Sequence, residues 1–144
     1  VVAASLMASL KAQGRSVWDE LERLARLHGL HVSSPLTFRV EEIEQIASGM
    51  ARLRAQPPSV LAGSPVVEVS DLSQGYRGLP PTDGVLVLTE AGDRVIARPS
   101  GTEPKLKCYL EVILPVAEGE PLPWEQARER LDAIKGAFAE IIGL

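Results

Sequence analysis

The sequence predicts an α+β fold, in which a mainly antiparallel sheet carries helices on one face and follows a helical hairpin. Apolar residues recur at helical spacing over the first 29 residues and again near the end of the chain. Short segments rich in Val, Thr and Ile fill the middle, and two of them are joined by a tight turn at Ala91-Gly92-Asp93. Helices flank this run of strands, an arrangement typical of a sheet covered on one side.

The first elements in the chain are two predicted helices. Residues 3–13 form the first helix, which Gly14 ends. Ser16 caps the second helix, with Asp19 three residues further on, and Gly29 ends it. We expect Trp18, and also Trp124 in the last helix, to lie in the core.

The remaining elements follow the order β-α-β-β-β-β-α, or one close to it. Residues 31–39 read as a strand interrupted by Ser34-Pro35, and the helix after it ends at Pro57-Pro58. Pro123 fits the first turn of the last helix, whose apolar stripe begins at Trp124. The other predicted strands are Val66–Leu72, Val85–Glu90, Arg94–Arg98 and Leu106–Leu114.

Composition excludes several classes of function. The chain has 144 residues and a formal charge of −4, which argues against broad binding to nucleic acids or membrane surfaces. Its apolar runs are too short to span a bilayer. The single cysteine, Cys108, permits no disulfide within the chain and fits a cytoplasmic location.

The stretch with the clearest chemistry is Arg98–Lys105, which reads Arg-Pro-Ser-Gly-Thr-Glu-Pro-Lys. Two prolines bracket a tight turn in which Ser100 and Thr102 offer hydroxyl groups. Gly101 lets a ligand approach the backbone, whose N–H groups can form an anion-binding concavity. Arg98 adds a planar cation suited to phosphate oxygens. The stretch therefore suits a phosphate group.

The strand after this turn continues its polar character. By alternation, Lys105, Lys107, Tyr109 and Glu111 share one face, and Cys108 belongs to the buried face. Ser, Gly, Thr and Pro are also ordinary turn residues, so from the residues alone a plain hairpin connection remains an equal alternative.

Arg98–Lys105 resembles, at every position, the phosphate-binding loop of the α-D-phosphohexomutase family. The likeness continues through Leu106–Glu111 and upstream through Leu79–Gly84 and Val66–Asp71. It implies a last domain with a four-stranded antiparallel sheet and helices packed on it. By the same resemblance, residues 1–30 are the helical end of a preceding domain, and residues 31–144 are the C-terminal phosphate-binding domain.

The resemblance also implies a function. Such enzymes, the phosphoglucomutases and phosphomannomutases, interconvert hexose 1-phosphates and hexose 6-phosphates through a hexose 1,6-bisphosphate. The phosphoserine, the Mg²⁺ loop and the sugar-reading loop belong to other domains, and no matching motif occurs here. We therefore expect no catalytic residue and no metal ligand in this chain, which also lacks an initiator Met and reads as an inactive fragment of the enzyme.

The residues that the resemblance assigns to the distal phosphate are those of the loop and the start of the next strand. Arg98, Ser100, Gly101 and Thr102 would bind it, supplemented by Lys105 or Lys107. The expected partners are a phosphosugar and the other domains of the same polypeptide. The sugar stays open among glucose, mannose, glucosamine and pentose, with a slight preference for glucose or mannose.

Two alternatives compete with this function: a non-enzymatic α+β binding module that uses its sheet, and a structural closing module with an idle loop. Exposed sheet aromatics would favour the binding module, but aromatic residues make up only 4% of the chain. Among residues outside the motif, Arg39 could add to a basic patch but is interpreted as a solvated cation, and Asp71 and Asp83 are interpreted as turn formers.

Overall fold

The computed structural model describes residues 1–143 and confirms the α+β class. The helices described in it are α1 (Val2–Ala12), α2 (Val17–His28), α3 (Ile43–Ala55) and α4 (Trp124–Ile142). The strands are β1 (Leu30–Arg39), β2 (Val60–Leu61), β3 (Ser64–Asp71), β4 (Val85–Thr89), β5 (Arg94–Pro99) and β6 (Lys105–Leu114), with a 3-10 turn at Leu72–Gln74. Within these residues, no helix has the length and apolar character needed to cross a membrane.

The strands form one antiparallel sheet in the order β1-β6-β5-β4-β3-β2. The expected count of four strands is wrong, because the edge strands β1 and β2 extend the sheet to six among the described residues. β1 is also not interrupted at Ser34-Pro35 but runs unbroken along β6. A proline is tolerated there because an edge strand has one side without a partner, where a missing N–H costs nothing.

The core lies between one face of the sheet and helices α3 and α4. In β6, the alternation predicted from the sequence is confirmed, since Cys108 and the other even-numbered residues are buried. Burial raises the pKa of the Cys108 thiol to about 12. The helices contribute Ile46, Met50 and Leu53 from α3, and Ala127, Leu131, Ile134, Phe138 and Ile142 from α4. Each fully buried large side chain stabilises the fold by about 1.5–3 kcal/mol.

The two tryptophans are not core residues, contrary to the prediction. Trp18 is 77% exposed and Trp124 is 45% exposed. Both fit the apolar spacing of their helices, but that spacing does not specify which surface covers the face. Together with Leu21, Leu24 and Leu122, they line an apolar groove of about 660 Å³ between α2 and the start of α4.

The helical hairpin predicted at the start of the chain is present. Ser16 and Asp19 form the predicted capping box, and Arg15 pairs with Glu20. The Arg23 side chain, with Arg15 adding to its effect, lowers the pKa of Glu20 to about 2. α2 packs on the rest of the molecule through Ala25, which belongs to the hydrophobic core, and its Arg26 guanidinium donates to the Glu120 carbonyl at 3.0 Å.

The segment between β3 and β4, residues 72–84, is held at both ends by a side chain of α3. Arg54 of α3 donates to Asp71 at 3.1 Å and to Asp83 at 2.6 Å, and so joins both ends of the segment. Asp71 also accepts from the Ser73 N–H, which confirms it as a turn former. Burial, and then the neighbouring Glu68 side chain of β3, raise the pKa of the Tyr76 phenol.

Candidate functional site

The predicted phosphate loop connects β5 to β6 at one end of the sheet. Its closing bonds are few: the Ser100 N–H donates to the Lys105 carbonyl at 2.8 Å, and the Lys105 N–H donates to the Glu103 carbonyl at 2.7 Å. Within the described residues, the N–H groups of Gly101, Thr102 and Glu103 donate to no protein acceptor. These residues are exposed, so three successive N–H groups are available to an external anion.

Neither the backbone conformation nor the packing at position 101 requires a glycine. The φ of Gly101 is outside the left-handed region, and a Cβ built on it meets no atom within 4 Å. Turns often select glycine for positive φ or for a crowded backbone, and neither reason applies here. What remains is the space that glycine leaves beside the free N–H groups.

The sheet face away from α3 and α4, here called the open face, carries a group of cations at the loop end. Arg98 of β5 lies directly opposite Lys107 of β6, and Arg39 of β1 lies directly opposite Lys105 of β6. We call these four residues the cationic cluster. Alternation along each strand places all four on the open face. Three strands that are distant in sequence therefore bring four positive charges next to the loop.

Most of these cations lack an acidic partner. Among residues 1–143, Arg39, Arg98 and Lys107 form no salt bridge, whereas Lys105 pairs with Glu103 at 2.6 Å. Like charges placed directly opposite each other destabilise a sheet. The arrangement thus carries an electrostatic cost that a bound anion would relieve.

The other end of the open face shows the contrast. There Arg94 pairs with Glu111 at 2.5 Å, and His31 lies 3.3 Å from the same carboxylate. The predicted polar face of β6 is therefore present, but its charges are balanced at one end and unbalanced at the loop. Tyr109, 50% exposed, lies between the two ends.

The structure brings all six predicted site residues together at this end of the sheet. Arg98, Ser100, Gly101 and Thr102 lie in or next to the loop, and Lys105 and Lys107 begin β6. It adds Arg39, which the sequence left as a solvated cation. Only the pairing of β1 with β6 reveals its position, and no local pattern in the sequence indicates that pairing.

No metal site accompanies the loop. Among the described residues, no three His, Cys, Asp or Glu side chains converge in a way that could hold a metal ion. The residues present therefore do not fit Mg²⁺, and the groups at the loop are cations and N–H or hydroxyl donors, which suit an anion.

Comparison with known proteins agrees with this geometry. The family model described as "Phosphoglucomutase/phosphomannomutase, C-terminal domain" matches residues 36–122. The chain belongs to this family. The family predicted from the loop is thereby confirmed, and the match includes the whole of Arg98–Lys105.

Two relatives are bacterial members of the phosphoglucomutase/phosphomannomutase family. A protein named probable phosphomannomutase from Haemophilus influenzae is 36% identical over 111 residues, which are 77% of this chain and 22% of that protein. A phosphoglucomutase from Staphylococcus haemolyticus is 34% identical over 117 residues, covering 72% of this chain and 21% of that protein. The chain spans about a fifth of the length of these relatives.

A solved structure shows the same fold. It is the open form of the Paramecium exocytosis-sensitive phosphoprotein pp63/parafusin, described as a phosphoglucomutase. The match has a TM-score of 0.53 and 15% identity, and it covers 90% of this chain and 24% of that one.

Proposed function

We propose that this chain is the part of a phosphohexomutase that holds the phosphate group of the substrate that is not reacting. The observation that carries this proposal is the unbalanced pair Arg98 and Lys107 beside three free N–H groups at Gly101–Glu103. The substrate would be a hexose 1-phosphate or hexose 6-phosphate, which the full enzyme interconverts.

The physical role of such a site is positioning. Arg98 presents a planar fork of N–H donors that matches phosphate oxygens, and the loop supplies hydroxyl and backbone donors on another side. The binding energy of a remote phosphate orients the sugar end that reacts and lowers the barrier there. Because both ends of a hexose 1,6-bisphosphate carry phosphate, one grip can serve both orientations of this intermediate.

The chemical step belongs to other parts of the polypeptide in this proposal. The donor phosphoserine and Mg²⁺ would lie outside this chain, whose own residues do not fit a metal. The chain alone is expected to be inactive. We place the enzyme in the cytoplasm, in keeping with the single, buried thiol of this chain.

We also propose that residues 1–30 belong to the domain before the phosphate-binding domain. Their helices expose Leu6, Met7, Trp18 and Leu27, each more than half accessible. An apolar surface of this kind is typical of helices that pack against further protein. The other domains of the same polypeptide would then be the partner that covers it.

The test of the proposed function is Arg98→Ala in the full-length protein that carries this chain. We expect kcat/KM for glucose 1-phosphate or mannose 1-phosphate to fall by an amount equivalent to about 2–3 kcal/mol, the scale of a charged hydrogen bond. KM should rise, because the lost contact helps to bind the ground state. Arg128→Ala removes an exposed arginine from α4 and serves as the control. An unchanged kcat/KM in Arg98→Ala would contradict the assignment.

A further inference from the structure

Glu103 is the one acidic residue within the loop, and it lies against the cationic cluster. Its Oε1 accepts from the Lys105 ammonium at 2.6 Å. The Lys105 side chain is only 14% exposed, whereas the Glu103 side chain is 48% exposed. The Lys105 ammonium group is therefore largely enclosed in the site, whereas the Glu103 carboxylate faces solvent.

Backbone hydrogen bonds place Arg39 beside the loop as well. It lies opposite Lys105 across β1 and β6, and the N–H of its neighbour Val40 donates to the Pro104 carbonyl at 3.2 Å. The end of β1 is therefore joined to the loop directly after Glu103. The exposed Arg39 side chain therefore lies beside the loop.

The charges around Glu103 act on it together. The Lys105 ammonium holds the pKa of the Glu103 carboxyl below its usual range, and Lys107 and Arg39 lower it further. The carboxylate is therefore ionised at neutral pH and partly neutralises the cations that a phosphate would need.

We propose that Glu103 is an internal anion that occupies the cationic cluster in the absence of ligand, and that a phosphate monoester displaces it and binds Lys105 together with Arg39. This inference rests on the proposed function. An exposed ion pair contributes little free energy, so moving Glu103 away from Lys105 costs little. A phosphate carries more charge than a carboxylate and three strong acceptor oxygens, which favours the exchange.

The opposite role for Glu103 is a fixed one, in which it orients Lys105 for the ligand. The two roles differ in the sign of one measurement. Removing the charge of a competing anion strengthens phosphate binding, whereas removing a positioning partner weakens it.

The test measures the Kd of inorganic phosphate for this chain from backbone amide shifts in ¹⁵N spectra at low salt. We expect Glu103→Gln to bind phosphate about five-fold more tightly, the scale of an exposed ion pair. Glu118→Gln removes an equal charge from the exposed segment before α4 and should change Kd less than two-fold. Weaker or unchanged binding in Glu103→Gln would overturn the inference.

Arg39→Gln supplies the second arm of the test. We expect it to weaken phosphate binding about five-fold, both alone and combined with Glu103→Gln, because Arg39 binds the ligand in either background. An Arg39→Gln variant with unchanged Kd would remove Arg39 from the site. Arg128→Gln controls for the loss of one exposed positive charge.

The outcomes separate this inference from the proposed function. If phosphate shifts the loop amides of the unaltered chain but Glu103→Gln does not tighten binding, only the displacement of Glu103 is wrong. If phosphate shifts no loop amide in either protein, the proposed function fails and the inference fails with it.

Discussion

At the scale of single residues, the candidate site is defined by groups that have no neighbouring side chain or no partner among the described residues. Gly101 has open space where a side chain would be, and the N–H groups beside it have no acceptor among the described residues. Arg98 and Lys107 lie directly opposite each other, and neither forms a salt bridge within the described residues. Each feature costs stability or leaves it unchanged, so none is explained by folding. The proposed phosphate ligand would explain all of them.

Gly101→Ala separates the demands of the ligand from those of the fold. We expect the free energy of unfolding to stay unchanged or rise by up to about 1 kcal/mol, because the added methyl meets no atom and restricts the unfolded chain. Phosphate binding should weaken about tenfold, since the methyl group intrudes where the ligand approaches the backbone. Urea denaturation and an amide-shift titration measure the two effects.

Gly63→Ala is the matched control, with the reverse pattern. Gly63 lies in the turn between β2 and β3 with φ +82°, so alanine there should lower stability by about 1 kcal/mol without affecting phosphate binding. A loss of stability in Gly101→Ala as large as that in Gly63→Ala would show that the chain, not a ligand, requires the glycine.

At the scale of elements, a buried ion pair joins the β4–β5 turn to α4. Asp93 is completely buried, its Oδ2 accepts from the Arg130 Nε at 2.8 Å, and its Oδ1 has no partner within the described residues. The pair lies at the end of β5 opposite the phosphate loop. It fixes the strand that carries Arg98 to the helix that covers the core.

We expect Arg130→Ala to lower the free energy of unfolding by about 3 kcal/mol, because it leaves the Asp93 carboxylate buried without its counter-charge. Arg128→Ala, on the exposed side of the same helix, should change it by less than about 0.5 kcal/mol. Chemical denaturation of both variants measures the difference. Equal stabilities would mean that the pair does not hold the turn to the helix.

At the scale of the whole molecule, local signals in the sequence predicted most elements, and long-range pairing supplied the rest. Glycine ends, the Ser16 cap and the alternation of β6 were readable because they depend on neighbouring residues. The position of Arg39 was not, because it follows from pairing β1 with a strand more than sixty residues away. The exposure of Trp18 was missed because helical spacing identifies an apolar face but not what covers it.

The candidate site was likewise predicted from the sequence only in part. The loop residues could be named from one short stretch, because their chemistry and their likeness to the family are both local. The unbalanced charges could not be predicted in this way. Whether Arg98 has a salt-bridge partner among the described residues depends on how three adjacent strands pair. The two-residue strand β2 was too short to give any periodic signal.

The most direct test of the central claim is a titration of the ¹⁵N-labelled chain with glucose 1-phosphate at low salt. We expect saturable shifts centred on the amides of Ser100, Gly101 and Thr102, with a Kd on the order of millimolar because only part of the substrate is held. These shifts should disappear in Arg98→Ala. No shift in the loop of the unaltered chain, or equal shifts in Arg98→Ala, would contradict the claim that this end of the sheet holds the phosphate.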